Sequence, residues 1–178
     1  PIMVASTPLI GNYQLPSLIN ANAPVTINAA TLTSTLTNTG VSKVYDGDTS
    51  APSGFTPTYS FSGLVSGDTT ATLSNTGALY NDKDVLDANK VTVSGLSLSG
   101  ISGSNSSATT DYVLDATSKD VSAAITRKTV SLSASKTYDG STSLTGAVTL
   151  ATGISGEALN YSGAVANDAH VATTGKYI

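Results

Sequence analysis

The octapeptide KVYDGDTS at residues 43–50 returns as KTYDGSTS at residues 136–143, with only two of its eight positions altered. Asp-Gly pairs favour tight turns, because glycine accepts a positive φ and aspartate can bond the backbone two residues further on. We therefore expect both stretches to form hairpin turns between short strands. The structural motif comprises the Lys, Tyr, Asp and Gly of each copy: Lys43, Tyr45, Asp46, Gly47, Lys136, Tyr138, Asp139 and Gly140.

A turn of this kind predicts a structural role for the tyrosine and for the lysine of the motif. Tyr45 and Tyr138 should bury their rings against the core, with each hydroxyl reaching a backbone carbonyl or the next module. Lys43 and Lys136 should lay their aliphatic stems along the sheet and keep their ammonium groups in water. The alternative interpretation is an interaction site, in which Tyr and Asp on a loop contact a carbohydrate or a Ca²⁺ ion.

The similarity extends well beyond the octapeptide and keeps the same order in both copies. VTINAATL and AAITRKTV align through Ile27 and Ile125 ahead of the motif, and GLVSGD and GISGE follow it. GALYNDKDV then pairs with GAVANDAHV, and NYQL at residues 12–15 matches DYVL at residues 111–114. An ordered set of this kind indicates a tandem repeat, whose motifs lie 93 residues apart, from Lys43 to Lys136.

The two ends of the sequence read as parts of one broken repeat. We expect residues 1–29 to be the C-terminal strands of a split repeat, residues 30–124 a complete module, and residues 125–178 the N-terminal part of the next module. Residues 1–29 would then complete the module begun by residues 125–178 of the preceding segment. This completion would occur either within one long chain or through a strand donated between subunits.

Composition and patterning predict an all-β fold. Short blocks alternate apolar and polar residues, as in Val25 to Ala29, Val91 to Val93 and Val130 to Ala134, and Gly, Asn, Asp or Ser residues bound them. Such spacing is typical of antiparallel sandwiches or barrels. We predict tandem antiparallel β-sandwich modules of Ig-like type, arranged end to end.

Charge and residue usage exclude several classes of function. The net charge is −4 and only eight residues are Lys or Arg, too few for a phosphate-binding track. We therefore expect neither nucleic-acid binding nor membrane insertion. The sequence contains no cysteine and one histidine, His170, so thiolate metal sites and thiol nucleophiles are excluded. We expect no enzymatic activity.

No cofactor is expected, although two acidic stretches bring hard oxygen ligands close together. They are DGD at residues 46–48 and NDKDVLD at residues 81–87, and neither has the spacing of an EF-hand. Calcium therefore remains an alternative for the first repeat only, since the second copy has Ser141 in place of Asp48. A spontaneous cross-link from Lys43 or Lys90 to Asn81 is a further, less favoured alternative.

The ordered motifs resemble the YDG repeats of large bacterial surface proteins, which include filamentous-haemagglutinin-like adhesins. The resemblance rests on K-x-Y-D-G-x-T, V-S-G-D, N-D-K-D-V, K-V-T-V-S-G-L-S-L-S-G and D-Y-V-L, and it covers nearly all of the chain. It implies a β-rich stalk module carried in arrays outside the cell. The second copy departs from the first at Ala166, in place of Tyr80, and at His170, in place of Asp84.

Two functions follow as hypotheses. The first is a structural segment of an extracellular filament or adhesin stalk that serves cell adhesion or biofilm formation, with copies of itself or adjacent repeats as head-to-tail partners. The second is a carbohydrate- or matrix-binding module whose exposed aromatic patch engages surface polysaccharide. The ligand contacts would be Tyr59, Phe61, Tyr80 and Tyr161.

Overall fold

The computed structural model describes residues 24–178, so the predicted segment 1–29 and its NYQL motif lie largely outside the described residues. The described part contains eleven strands and one short 3-10 helix at Thr109–Asp111. The strands are β1 (Ala30–Leu36), β2 (Val41–Val44), β3 (Tyr59–Ser62), β4 (Asp68–Ser74), β5 (Gly77–Tyr80), β6 (Lys90–Ser94), β7 (Ser97–Gly103), β8 (Tyr112–Leu114), β9 (Ser118–Thr126), β10 (Ser131–Ala134) and β11 (Val148–Ala151). The all-β prediction is confirmed.

The strands follow from a two-residue period in the sequence. In β1, ATLTSTL places Leu32, Ser34 and Leu36 on the buried face, while its threonines face solvent. In β6, KVTVS buries Val91 and Val93 completely. Threonine and valine are branched at Cβ and favour the extended backbone. In the part of the chain that the structure describes, no helix is long and apolar enough to cross a membrane.

The strands form four sheets, with the orders β3-β1-β8, β2-β9-β6-β5, β4-β7 and β10-β11. Most pairs are antiparallel, but β1 pairs with β8 and β2 pairs with β9 in parallel. The predicted antiparallel pairing therefore holds for most strand pairs but not for these two. Strands β8 and β9 return after a long stretch of chain and run alongside β1 and β2, which is the connection that parallel pairing requires.

The core lies between the sheets of the first repeat. The larger cluster joins Leu36 of the three-stranded sheet to Val91, Val93, Val121 and Ile125 of the four-stranded sheet. Complete burial of a side chain the size of valine stabilises a fold by about 1.5–3 kcal/mol. The smaller cluster contains Leu32, Ala71 and Tyr112.

Strand β9 runs across the predicted boundary between the two repeats. It continues to Thr126 and pairs with β2 along Val41–Val44. The boundary expected after residue 124 therefore falls inside this strand.

The C-terminal half is built from fewer strands. Residues beyond Thr126 contribute β10 and β11, which pair antiparallel with Leu132 opposite Leu150. In the repeat alignment these residues correspond to Ser34 and Phe61, which face each other in the β1–β3 pair. Leu144 is the buried hydrophobic residue of the C-terminal half, among those described. This half therefore reproduces the first strand pair of a repeat.

Candidate functional site

The first YDG turn crosses from one edge of the four-stranded sheet to the other. The Tyr45 amide donates to the Thr126 carbonyl at 2.9 Å, which extends the ladder between β2 and β9. The chain then reaches Ser50, which forms an isolated antiparallel bridge with Leu79 of β5. The hairpin prediction is therefore wrong, because the strands before and after the turn pair with β9 and β5 and not with each other.

The Lys43 ammonium lies at the centre of this turn. Its Nζ is 2.7 Å from Asp46 Oδ1 and 2.9 Å from Asp48 Oδ1, and it also donates to the Asp48 carbonyl at 3.0 Å. It lies 5.6 Å from the centre of the Tyr80 ring. Only 8% of the side chain is exposed. The expectation that this ammonium stays in water is wrong, because the turn folds around it and supplies three oxygen acceptors.

The charged groups of the turn shift the pKa values of Lys43 and Asp48. Burial by itself would lower the pKa of Lys43, but the hydrogen bonds and charges of Asp46 and Asp48 outweigh that effect and the pKa is raised. The hydrogen bond from Lys43, followed by one from the Ser50 amide, lowers the pKa of Asp48. The lysine is therefore charged and the Asp48 carboxylate ionised at neutral pH.

The two carboxylates also hold the backbone of the turn. Asp46 Oδ1 accepts from the Asp48 amide at 3.2 Å, and Asp48 Oδ1 accepts from the Ser50 amide at 2.7 Å. Each acid thus bonds an amide two residues further along, which is a common way for aspartate to stabilise a turn. Gly47 between them has φ of +87°, a conformation that glycine adopts without steric strain.

The second YDG turn repeats this arrangement. Lys136 Nζ lies 2.7 Å from Asp139 Oδ1 and donates to the Ser141 carbonyl at 2.6 Å. The Ser141 amide donates to Asp139 Oδ1 at 2.9 Å, and the Ser143 amide donates to Ser141 Oγ at 3.0 Å. A serine hydroxyl therefore accepts the bond that Asp48 accepts in the first turn. Ser143 also forms the equivalent bridge, with Val165.

The acidic loops of the two copies share a smaller feature. The Asp84 amide donates to Asp82 Oδ1 at 2.8 Å in the first copy, and the His170 amide donates to Asp168 Oδ1 at 2.6 Å in the second. In both copies the bond uses the backbone of the second residue. The exchange of Asp84 for His170 therefore preserves the loop geometry, because the side chain that differs does not make the shared bond.

The first YDG turn also contacts the second repeat. The Tyr45 hydroxyl donates to Glu157 Oε1, and this bond raises the pKa of Tyr45. A Cβ atom at Gly47 would lie 3.0 Å from Cγ2 of Ile154, so this position favours glycine for its close approach as well as for its φ. Tyr45, Ile154 and Glu157 also line a cavity of about 330 Å³. Residues Ile154 and Glu157 belong to GISGE, the second copy of GLVSGD.

The aromatic residues proposed as ligand contacts do not form one exposed patch. Tyr80 is buried and its hydroxyl donates to the Ala124 carbonyl at 3.1 Å. The half-buried rings of Tyr59 and Phe61 lie 6.2 Å apart and tilted. Tyr161 is also half-buried, and its hydroxyl donates to the Leu144 carbonyl at 3.0 Å. The expected patch is wrong at Tyr80, because its ring fills the core beside Lys43.

The acidic stretches considered for calcium are engaged with lysine. Lys43 Nζ occupies the position between Asp46 and Asp48 that a cation would take. Residues 24–178 hold no group of three or more His, Asp or Glu side chains suited to a metal ion. Lys90 Nζ bonds Asp120 Oδ2 at 2.6 Å, while the Asn81 amide group donates to the Asp87 carbonyl. These contacts direct both lysines away from the proposed cross-link with Asn81.

Comparison with protein families matches the YDG domain over residues 28–119, slightly more than half of the chain. The chain belongs to the YDG domain family. The matched range contains the first YDG turn and begins just ahead of β1, and it ends within β9. Comparisons with curated proteins and with solved structures give no match.

The partner of the YDG motif is not apparent from the sequence. Glu157 occupies the position of Asp68 in the repeat alignment, so both copies have an acid there. In the first repeat Asp68 accepts from the Tyr112 hydroxyl at 2.6 Å. An acid retained in both copies of a loop was the available signal, but the identity of its tyrosine partner depends on how the loops fold.

Proposed function

We propose that this YDG domain chain is a structural segment of an extracellular filament or adhesin stalk. The segment is built head to tail from β-sandwich repeats, and neighbouring segments complete each split module. The observation that carries the proposal is the hydrogen bond from Tyr45 in the YDG turn of one repeat to Glu157 in the next. A motif that organises its own turn and also holds the following repeat suits an extended array.

The sheet arrangement supports a two-layer sandwich for each repeat. Leu36 and Leu114 come from the three-stranded sheet, and both pack in the cluster formed by Val91, Val93 and Ile125 of the four-stranded sheet. Two sheets that share one core in this way are the usual basis of an Ig-like sandwich. The second repeat begins with the same strand pairing and the same YDG turn, which supports repetition of the unit.

The chemistry of the turn supports a structural role over catalysis. Lys43, Asp46 and Asp48 bond one another and the backbone, so their polar groups are already used in holding the turn. The low content of charged residues, 11% of the chain, supports a location of the protein on the cell surface. Few ion pairs are then available to weaken when the salt concentration outside a cell changes.

A carbohydrate-binding function has less support. Sugar recognition by stacking requires exposed ring faces, and burial removes Tyr80 from any such surface. The remaining candidates are half-buried, and the hydroxyl of Tyr161 bonds within its own repeat. We therefore favour the structural role.

The contact between repeats is tested with Tyr45→Phe. Phenylalanine cannot donate the hydrogen bond that the Tyr45 hydroxyl makes to Glu157, so the population of separated repeats should rise. We expect ¹⁵N relaxation to give one tumbling time for both repeats in the unmodified chain and two in the variant. Tyr138→Phe is the matched control, because Tyr138 is 55% exposed. Equal relaxation in all three chains would contradict the proposed contact.

The location is tested separately, with antibodies raised against the purified chain. A stalk segment should be labelled on intact, unpermeabilised cells, at a distance from the membrane that electron microscopy can measure. Labelling that requires permeabilisation would rule out the extracellular part of the proposal.

A further inference from the structure

The first two and the last two strands of the first repeat run side by side in the same direction. Strand β1 pairs in parallel with β8 along residues 30–32, and strand β2 pairs in parallel with β9 along Val41–Val44. The same number of residues separates the partners in both ladders, so the two segments keep one register. Both segments pass from the three-stranded sheet to the four-stranded sheet.

The chain enters and leaves this arrangement at opposite ends. It enters through Ala30, the first residue of β1, and leaves through Thr126, the last residue of β9, from which it continues into the second repeat. Thr126 lies beside Val44, the last residue of β2. Tension along the chain therefore pulls β1 and β2 from their first residues, and it pulls β8 and β9 from their last residues.

Parallel pairing converts this tension into shear. Two parallel strands that are pulled from opposite ends slide along each other, so the hydrogen bonds between them share the load and break together. If the same strands were antiparallel, the two loaded residues would lie at one end of the ladder, and the bonds would break one after another. Forced unfolding is governed by the unfolding rate, so shear gives the greater resistance because more bonds must break at once.

Contacts outside the β2–β9 ladder hold the end at which the chain leaves. The Tyr45 amide donates to the Thr126 carbonyl at 2.9 Å, and the Thr126 hydroxyl donates to the Lys43 carbonyl at 3.2 Å. The ammonium of the same lysine contacts Asp46 and Asp48. The YDG turn therefore fixes the end of β2 beside the residue that carries the load.

Asp115 extends the β1–β8 contact in a similar way. Its amide donates to the Leu32 carbonyl at 3.0 Å, and its Oδ1 accepts from the Ser34 amide at 3.2 Å. Its second carboxylate oxygen accepts from the Lys119 ammonium at 2.6 Å. The connection between β8 and β9 is therefore bonded to β1 beyond the last paired residue of that ladder.

We propose that β1 and β2, paired with β8 and β9, form a mechanical clamp that resists tension along the chain. The clamp carries the load between Ala30 and Thr126, and the strands between β2 and β8 stay folded while it holds. This inference rests on the proposed function, because tension along the chain is the load that a stalk segment would meet. It assigns the parallel ladders, with the YDG turn beside them, the role of bearing that load.

The first experiment pulls the folded full chain in an optical trap along two directions. Handles at the two termini load both ladders in shear. Handles on Thr39→Cys and Thr117→Cys load each ladder at one end, because both residues are exposed and lie between the ladders. The chain contains no cysteine, so these handles attach only there. At one loading rate, we expect the unfolding force of the first repeat to shift to lower values with the cysteine handles.

The length of chain released identifies the event in each direction. Unfolding between Ala30 and Thr126 releases about 320–350 Å of extended chain, less the distance between these residues in the folded state. Unfolding between Thr39 and Thr117 releases about 260–285 Å, with the same correction. Only events of these lengths are compared.

The second experiment uses two proline variants in β2. Amides alternate in direction along a paired strand, and the Tyr45 amide faces β9. The Val41 amide therefore faces β9 as well, whereas the Ser42 amide faces away. Val41→Pro should lower the unfolding force measured through the termini. Ser42→Pro is the matched control, because proline is tolerated on an edge strand where its nitrogen faces solvent.

The two pulling directions separate loss of the clamp from a general loss of stability. General destabilisation lowers the unfolding force in both directions, whereas loss of the clamp reduces the difference between them. Val41→Pro should therefore reduce this difference, and Ser42→Pro should retain it. The comparison of directions changes no residue within either ladder, so it remains decisive if Val41→Pro does not fold.

Two results would overturn the inference. An unfolding force through the termini equal to or lower than the force through the cysteine handles would show that the parallel ladders do not bear the load. A difference between directions that persists unchanged in Val41→Pro would place the resistance outside the β2–β9 ladder. If either result occurs while surface labelling and the Tyr45→Phe effect hold, the stalk proposal stands and only the clamp fails. If the forces differ as expected but intact cells are not labelled, the clamp stands and the extracellular location fails.

Discussion

Lys43 and Lys136 are the residues around which the two YDG turns are organised. The Lys43 ammonium contacts two carboxylates and one backbone carbonyl. The Lys136 ammonium contacts one carboxylate and two backbone carbonyls. The Asp side chains then bond amides two residues further along. The motif therefore requires a cation, an acid and a glycine in fixed order, and the tyrosine is free to reach outward to another repeat.

The protonation of Asp48 makes this turn sensitive to acid. The pKa of Asp48 is lower in the folded state than its ordinary value. Asp48 therefore stabilises the folded state to its full extent at any pH above that ordinary value. That stability is lost as the pH falls from about 4 through the lowered pKa. We expect urea unfolding midpoints to fall over this range, and less steeply in Asp48→Asn, which no longer titrates there. Identical slopes for both chains would show that Asp48 does not contribute.

At the scale of elements, β9 is the strand that closes the first repeat. It pairs with β2 on one side and with β6 on the other. Its alternate residues Val121 and Ile125 belong to the larger core cluster. The strand thus joins the part of the repeat that carries the YDG turn to the part that carries most of the buried valines.

Truncation of a core side chain in β9 tests this role. Ile125 is 3% exposed, so Ile125→Ala should lower the free energy of unfolding by about 2–5 kcal/mol through lost burial and the cavity left behind. Val113→Ala in β8 is the comparison, since Val113 is 52% exposed and should change stability by less than about 0.5 kcal/mol. Chemical denaturation measures both. A similar small loss for the two variants would contradict the assignment of β9 to the core.

At the scale of the whole molecule, buried hydrophobic residues are unevenly distributed along the described chain. Nearly all of them lie between Leu32 and Ile125, and Leu144 is the exception. Strand β10 has every residue exposed and, among residues 24–178, pairs only with β11. Stability should therefore differ along the chain, because regions with few buried contacts open at lower free energy.

Hydrogen exchange tests this difference in the unmodified chain. Amides of β6, including Val91 and Val93, should exchange slowest, and amides of β10 should exchange at least about tenfold faster. Equal protection of β6 and β10 would contradict the difference in stability along the chain.

Several features of this molecule could be predicted from the sequence because they depend on neighbouring residues. Alternation in ATLTSTL and KVTVS predicts strands with one buried face, and Asp-Gly at Asp46 and Gly47 predicts a turn. The repeated order of the motifs predicts a second YDG turn at Lys136, which the structure contains with Ser141 in place of Asp48. These features are local, or they follow from comparing one copy with the other.

The sequence by itself determined the all-β character, the positions of the turns and the repeat that places Val25 and Ile27 in register with β9. Only the tertiary structure decided that β2 pairs in parallel with β9, that the Lys43 ammonium is enclosed, and that Tyr80 fills the core. It also decided that Tyr45 holds Glu157. The physical reason is distance along the chain. Tyr45 and Glu157 are separated by 112 residues, and no local pattern specifies which distant groups the packing of two sheets brings together.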